Sequence, residues 1–247
     1  MELIKAQKNP FGGVVIESAD LPSGGADFAA RLEYSIGVWK AEGAKVVWLA
    51  AARAQAALIP AAVALGFVFH HAQEDVLQMT LTLIPGSFIP PYATHYVGAG
   101  GVVLRGDGQL LVVSERYKQF PGRRLKLPGG ALQTGENIGA AVVREVKEET
   151  GIQARFESVI CLRHWHGYRY GKSDIYFVCR LTPLSTEITM DTGELVECLW
   201  LPVEEYLADA DVHPFNKLVV RAAMNSKGIS EKFIPEYKPE TYELLVP

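Results

Sequence analysis

Residues 130–152, GALQTGENIGAAVVREVKEETGI, constrain this chain more than any other stretch. Gly129 and Gly130 follow Pro128, so no helix begins there, and glycine lets the backbone pass close to a ligand or metal. From Asn137 onward, Ile138, Ala141, Val142 and Val146 recur at helical spacing and predict a helix with one face turned to a core. Asn137 is the expected cap at its start and Gly151 the expected stop. The result is a helix of about four turns entered through an exposed glycine loop.

On that helix Glu145, Glu148 and Glu149 are related by three and four residues, so their carboxylates project into one sector. Arg144 lies four residues before Glu148, but one guanidinium does not neutralise three carboxylates and the nearby Glu136. An all-oxygen set without Cys or His suits a hard cation, Mg²⁺ or Mn²⁺, whose remaining positions water and phosphate can fill. A solvated acidic helix face accounts for the same spacing without any ion.

The segment resembles the Nudix box at every defining position: Gly130, five residues, Glu136, seven residues, Arg144-Glu145, apolar Val146, Lys147, Glu148-Glu149, Thr150, Gly151 and apolar Ile152. Fixed spacing over that many positions is far more specific than a lone glycine motif. The resemblance implies a hydrolase of nucleoside diphosphates linked to another moiety, in which Mg²⁺ assists attack of water on a pyrophosphate phosphorus. It further implies Glu145, Glu148 and Glu149 as metal ligands, with the Gly130 carbonyl as a further ligand and Arg144 orienting the glutamates. Glu194 lies outside the box, where many members carry an acidic residue, so the general base is Glu149 or Glu194.

Composition narrows the partners. A chain of 247 residues with 49% hydrophobic and 21% charged residues is ordinary globular material, long enough for one large or two small domains. A net charge of −4 and a pI near 5.9 argue against nucleic acid and favour free nucleotides, captured locally at a metal site. Cys161, Cys179 and Cys198 show no CxxC spacing, and their odd number supplies no disulfide framework, so a reducing cytoplasm is expected. Residues 1–13 lack a basic region followed by an apolar one, and no apolar run approaches the ~18 residues of a span, so no export or membrane signal is expected.

Along the chain, strands are predicted over residues 13–17, 46–51, 67–71 and 76–84, with helices over 28–42 and 54–65. Gly86, Pro90 and Pro91 mark a linker, which places a small α/β domain over residues 1–92 and a second domain over 93–247. His70 and His71, at strand spacing, are expected on opposite faces and in structural or surface roles. Ser23, Gly24 and Gly25 read as a plain turn. In the second domain, residues 97–104 and 110–115 are expected to form a hairpin through Arg105-Gly-Asp-Gly. Arg123, Arg124 and Lys126 either solubilise a loop or meet substrate phosphate. Strands over 156–164 and 174–181 flank WHGYRYGKS, where Trp165, Tyr168, Arg169 and Tyr170 could stack a base or ribose and reach a phosphate, or could be ordinary exposed hairpin residues. Residues 198–201 suggest a strand, 203–207 and 214–226 helices, and the tail from Phe233 reads as irregular.

The likeness extends over nearly the whole chain. Residues 47–75 and 90–104, then 170–176, 179–181 and 194–200, are similar to a Nudix subfamily that carries a domain before the box. That subfamily includes an animal protein encoded antisense to a fibroblast growth factor gene and plant ADP-ribose and NADH pyrophosphatases. This resemblance implies a C-terminal α/β/α sandwich with a mixed sheet, preceded by a small α/β domain similar to part of the acetyltransferase fold. The first domain lacks a glycine-rich pyrophosphate loop between strand and helix, which argues against acetyl transfer. ADP-ribose or NADH is the implied substrate, cut to AMP and the phosphorylated remainder by a homodimer. The alternative is a catalytically weak nucleotide-sensing or protein-interaction module.

Overall fold

The proline- and glycine-bearing run over residues 85–91 falls shortly before the point, between Ala93 and Thr94, at which the chain divides into two units, Met1–Ala93 and Thr94–Pro247. The computed structural model describes residues 1–117, 124–236 and 242–247.

The first unit holds β1 (Gln7–Lys8), β2 (Val14–Ile16), α1 (Gly25–Ala41), β3 (Val46–Ala52), α2 (Ile59–Ala64), β4 (Val68–Gln73) and β5 (Val76–Thr82). The sheet order is β1-β2-β3-β5-β4, with β2 and β3 parallel and the other pairs antiparallel. Phe28, Leu32 and Trp39 on α1 recur at helical spacing and are buried against Val47, Leu49 and Met79 of the sheet. The helix expected over residues 54–65 is instead a 3-10 turn, Arg53–Leu58, followed by α2. Pro60 explains the break: it has no N–H and is tolerated in a first helical turn but not inside a continuous helix.

The expectation for His70 and His71 is corrected. A register shift between Phe69 and His71 breaks the strand alternation. The two rings therefore meet, with Nδ1 to Nδ1 at 2.6 Å, while His70 Nε2 bonds the Pro90 carbonyl at 2.8 Å and His71 stacks on Tyr92.

The second unit holds β6 (His95–Val103), β7 (Gln109–Glu115), β8 (Gly129–Ala131), α3 (Ile138–Thr150), β9 (Ala154–Trp165), β10 (Ser173–Pro183), β11 (Leu195–Pro202), α4 (Val203–Ala208), α5 (Pro214–Asn225), β12 (Ser230–Glu231) and β13 (Leu245–Val246). Its main sheet is mixed, in the order β8-β6-β10-β9, with β6 parallel to β10. Alternate residues of β6 serve two cores. Val103 joins α3 residues Val142 and Val146 on one face, and Val102 joins Tyr206 of α4 and Val219 and Val220 of α5 on the other, giving the α/β/α layering.

The Arg105-Gly-Asp-Gly turn forms, with Arg105 N–H donating to the Gln109 carbonyl at 2.8 Å, but the expected hairpin does not. Both edges of β6 are occupied by β8 and β10, so beyond a single Leu104–Leu110 bridge β7 leaves to pair with β11. At the end of the tail, where irregular chain was expected, β13 pairs with β12. Close approach shapes β6 itself: a Cβ on Gly98 would lie 2.9 Å from the Tyr176 ring, and one on Gly100 would collide with the Tyr176 hydroxyl. These glycines leave room for the Tyr176 ring over β6, with its hydroxyl near Gly129 at the start of β8.

Candidate active site

Pairing of Gly129 with Gly100 and of Ala131 with Gly98 fixes the glycine loop along the edge of β6. Gly151 ends α3 in the left-handed conformation, φ 74°, as the sequence predicts. At the other end Asn137 occupies the cap position but its side chain makes no capping bond. Glu243 does so instead, its carboxylate accepting from the Ile138 and Gly139 N–H groups at 2.8 and 3.0 Å. An anion at a helix N-terminus satisfies orphan donors and complements the helix dipole. No local signal could have found Glu243, which lies about 105 residues from the turn it caps.

Arg144 is the hub of the box. It forks onto Glu136 through Nε and Nη2 at 2.7 and 2.8 Å, and its Nη1 reaches Glu145 at 2.8 Å and Glu148 at 2.9 Å. Nη2 also donates to the Ala131 carbonyl at 3.2 Å, tying the helix to the glycine loop. Bidentate pairing fixes orientation as well as charge. Hydrogen bonding to Arg144 holds the Glu136 carboxyl below its ordinary range and raises the guanidinium further.

Glu149 lies outside this fork. It is 6% exposed, accepts from the Gly129 N–H at 3.0 Å and stands 4.0 Å from Lys126 Nζ. Burial pushes its carboxyl up to about 7; Lys126 and the Gly129 N–H oppose that rise, and the charges of Glu145 and Glu194 add to it. Glu194 is exposed just before β11, where its carbonyl accepts from the Arg116 N–H at 2.7 Å.

The donors suit a divalent cation in kind and in charge. They are all oxygen, the charges of Glu145 and Glu194 add to the rise that burial gives Glu149, and a Cβ on Gly130 would sit 2.5 Å from the Glu145 carboxylate, a close approach that glycine admits. Among the described residues no three acidic, His or Cys side chains converge on one point in this arrangement, because Arg144 draws Glu145 and Glu148 to itself.

The cations of the loop before the box divide. Lys126 pairs with Glu115 and its backbone bridges Val113, so it serves the carboxylates near Glu149. Arg124 is exposed, and Arg123 lies outside the described residues. In the loop after β9, Arg169 stacks over Tyr168 at 5.5 Å, Tyr168 packs edge-on to Tyr96, and Tyr170 is 89% exposed.

A cavity of about 630 Å³ opens beside Lys126, lined by Trp165 and Tyr176 together with residues that sequence reasoning missed, Arg163, His213 and Phe215. Tyr168, Arg169 and Tyr170 are not part of its walls. The missed residues come from strand alternation on β9 and from the start of α5, two segments far apart in the chain.

Comparison with known proteins identifies the family. Residues 94–223 match the family model described as NUDIX domain, and residues 4–83 match one described as Nudix hydrolase domain. Nudix hydrolase 8 of Arabidopsis thaliana is 38% identical over 208 residues, covering 83% of this chain and 56% of that protein. Nudix hydrolase 2 of the same plant is 36% identical over 219 residues, covering 87% of this chain and 78% of that protein. The human nucleoside diphosphate-linked moiety X motif 6 is 36% identical over 226 residues, covering 88% and 71% respectively. This chain thus spans little more than half the length of the first of these relatives.

Proposed function

The chain belongs to the Nudix hydrolase family, and from that premise we propose that it is a Mg²⁺- or Mn²⁺-dependent pyrophosphohydrolase acting on a nucleoside diphosphate derivative, ADP-ribose or NADH. The observation that carries this reading is the pairing of Arg144 with three box carboxylates while a fourth, Glu149, is buried beside Gly129 with its carboxyl raised to about 7. Fixing that much negative charge in one place is costly unless a cation shares it.

In this reading Glu145, Glu148, Glu149 and the Gly130 carbonyl hold the ion. The bound ion would lower the pKa of a water and offset charge building on the phosphoryl oxygens. Arg144 orients Glu145 and Glu148, Lys126 tempers the charge on Glu149, and the Gly129 N–H aims that carboxylate. The proton of the attacking water passes to Glu149 or to Glu194, and kcat profiles against pH for Glu149→Gln and Glu194→Gln assign it: the variant that loses the acidic limb identifies the base. Among the described residues no helix is long and apolar enough to cross a membrane. A cytoplasmic setting and a homodimeric state belong to the same proposal.

Product analysis tests it. The protein with Mg²⁺ is incubated with ADP-ribose, NADH, NAD, coenzyme A, diadenosine polyphosphates and nucleoside triphosphates. AMP and a phosphorylated remainder from ADP-ribose or NADH are expected; failure to hydrolyse any of them would favour a nucleotide-sensing module instead.

A further inference from the structure

We propose that His95, His164 and His166 form a binding site for Zn²⁺, separate from the carboxylates of the box. The topology brings the three together. His95 opens β6 and pairs in register with Ser173 of β10, while His164 lies opposite Ile175, two residues further along β10. His166 follows the end of β9, and its Nδ1 is 2.8 Å from Ser173 Oγ. Residues paired across a sheet share a face, as do residues two apart on a strand. All three imidazoles therefore stand on the face where Ala99 and Phe177 join the α3 core. Alternation sends Tyr96, Arg163 and Trp165 to the opposite face. Lys172 Nζ lies over the Tyr96 ring at 5.7 Å and Arg163 over Trp165 at 5.5 Å, so these two cations are drawn away from an incoming ion.

The donor atoms are set for a metal. His95 Nε2 and His164 Nε2 face each other at 2.9 Å, and the ring centroids of His164 and His166 are 4.3 Å apart. Thr94 Oγ1 lies 2.8 Å from His95 Nδ1, as Ser173 Oγ does from His166 Nδ1. A hydroxyl that accepts from Nδ1–H leaves Nε2 unprotonated, which is how an outer partner prepares an imidazole for a metal. A tetrahedral ion about 2.0–2.1 Å from each nitrogen holds two of them roughly 3.3–3.4 Å apart. Parting His95 from His164 by about half an ångström therefore admits it, and the proton they share moves to His164 Nδ1. The three rings do not converge on one point as they stand, because that direct hydrogen bond closes the gap. His166, exposed beyond the strand end, turns in as the third ligand, and water takes the fourth position. Imidazole nitrogen suits Zn²⁺ where the all-oxygen box suits Mg²⁺, so the two sites divide the ions by chemistry.

The metal-free full chain is titrated with Zn²⁺ by calorimetry in excess Mg²⁺, which competes for the box, and with Co²⁺ followed by visible absorption. One Zn²⁺ per chain should bind, and Co²⁺ should give the intense bands of a four-coordinate nitrogen site rather than the faint ones of six oxygens. His95→Ala, His164→Ala and His166→Ala should each weaken Zn²⁺ at least about 10²-fold, and Ser173→Ala about tenfold through loss of the outer hydrogen bond. None of these four side chains is buried, so in EDTA every variant should melt within a few degrees of the wild type. Full Zn²⁺ affinity in any one of the histidine variants, Zn²⁺ binding that Mg²⁺ displaces completely, or a six-coordinate Co²⁺ spectrum would overturn the proposal.

Discussion

Arg144 and Glu149 divide the electrostatics of the box between them. The first is saturated with carboxylates; the second is buried, with one amide donor and a distant ammonium for company. The Glu149 carboxyl, raised in the fold to about 7 from an ordinary value near 4.5, holds its proton more tightly folded than unfolded. It therefore contributes stability that is complete below pH ~4.5 and is lost as pH rises through ~7. In EDTA the melting temperature should fall between pH 5 and pH 8, and Glu149→Gln should flatten that dependence; a slope unchanged in the variant would show that other groups set it. The thiols of Cys179 and Cys198 are pushed up to about 12, chiefly by burial. Both should resist alkylation at pH 8 in the native state, and rapid modification of all three thiols before unfolding would contradict the packing described.

The box helix illustrates what can and cannot be read from local sequence. Its apolar stripe, its Gly151 stop and the Arg144–Glu148 pair all follow from residues within a few turns of each other. Its N-terminal cap does not, because Glu243 arrives from the far end of the chain and takes the role that composition assigns to Asn137. Glu243→Gln should cost about 1 kcal/mol, a fall in melting temperature of roughly 2–4 °C, whereas Asn137→Ala should cost less than half as much. The reverse order, measured by thermal melts, would mean that the Asn137 side chain caps α3 in solution.

The same limit explains the other departures. Alternation predicted opposite faces for His70 and His71, but a bulge, which depends on how β4 pairs with β5, puts their rings in contact. The turn after β6 was legible, yet the partner of β7 was not, since β8 and β10 claim β6 first. Glu145, Glu148, Glu149 and Arg144 were legible because they sit on one helix; Arg163, His213 and Phe215 gather at their cavity only through tertiary packing.

At the scale of the whole molecule, the first unit covers its own helices: Trp39 is 4% exposed within the core. Self-association is expected through β4, an edge strand with Val68 and Phe69 61% and 64% exposed. We expect a homodimer, with a mass by light scattering of twice 27.1 kDa, and a monomer mass at micromolar concentration would refute it. The central claim is that the box glutamates carry the ion on which hydrolysis depends, and the most direct test is the rate of hydrolysis against Mg²⁺ concentration for the wild type, Glu148→Gln and Glu149→Gln. Each variant should lose at least about 10²-fold in turnover with its melting temperature in Mg²⁺-free buffer at pH 5 unchanged within a few degrees. Near-normal Mg²⁺-dependent rates in both variants would contradict it.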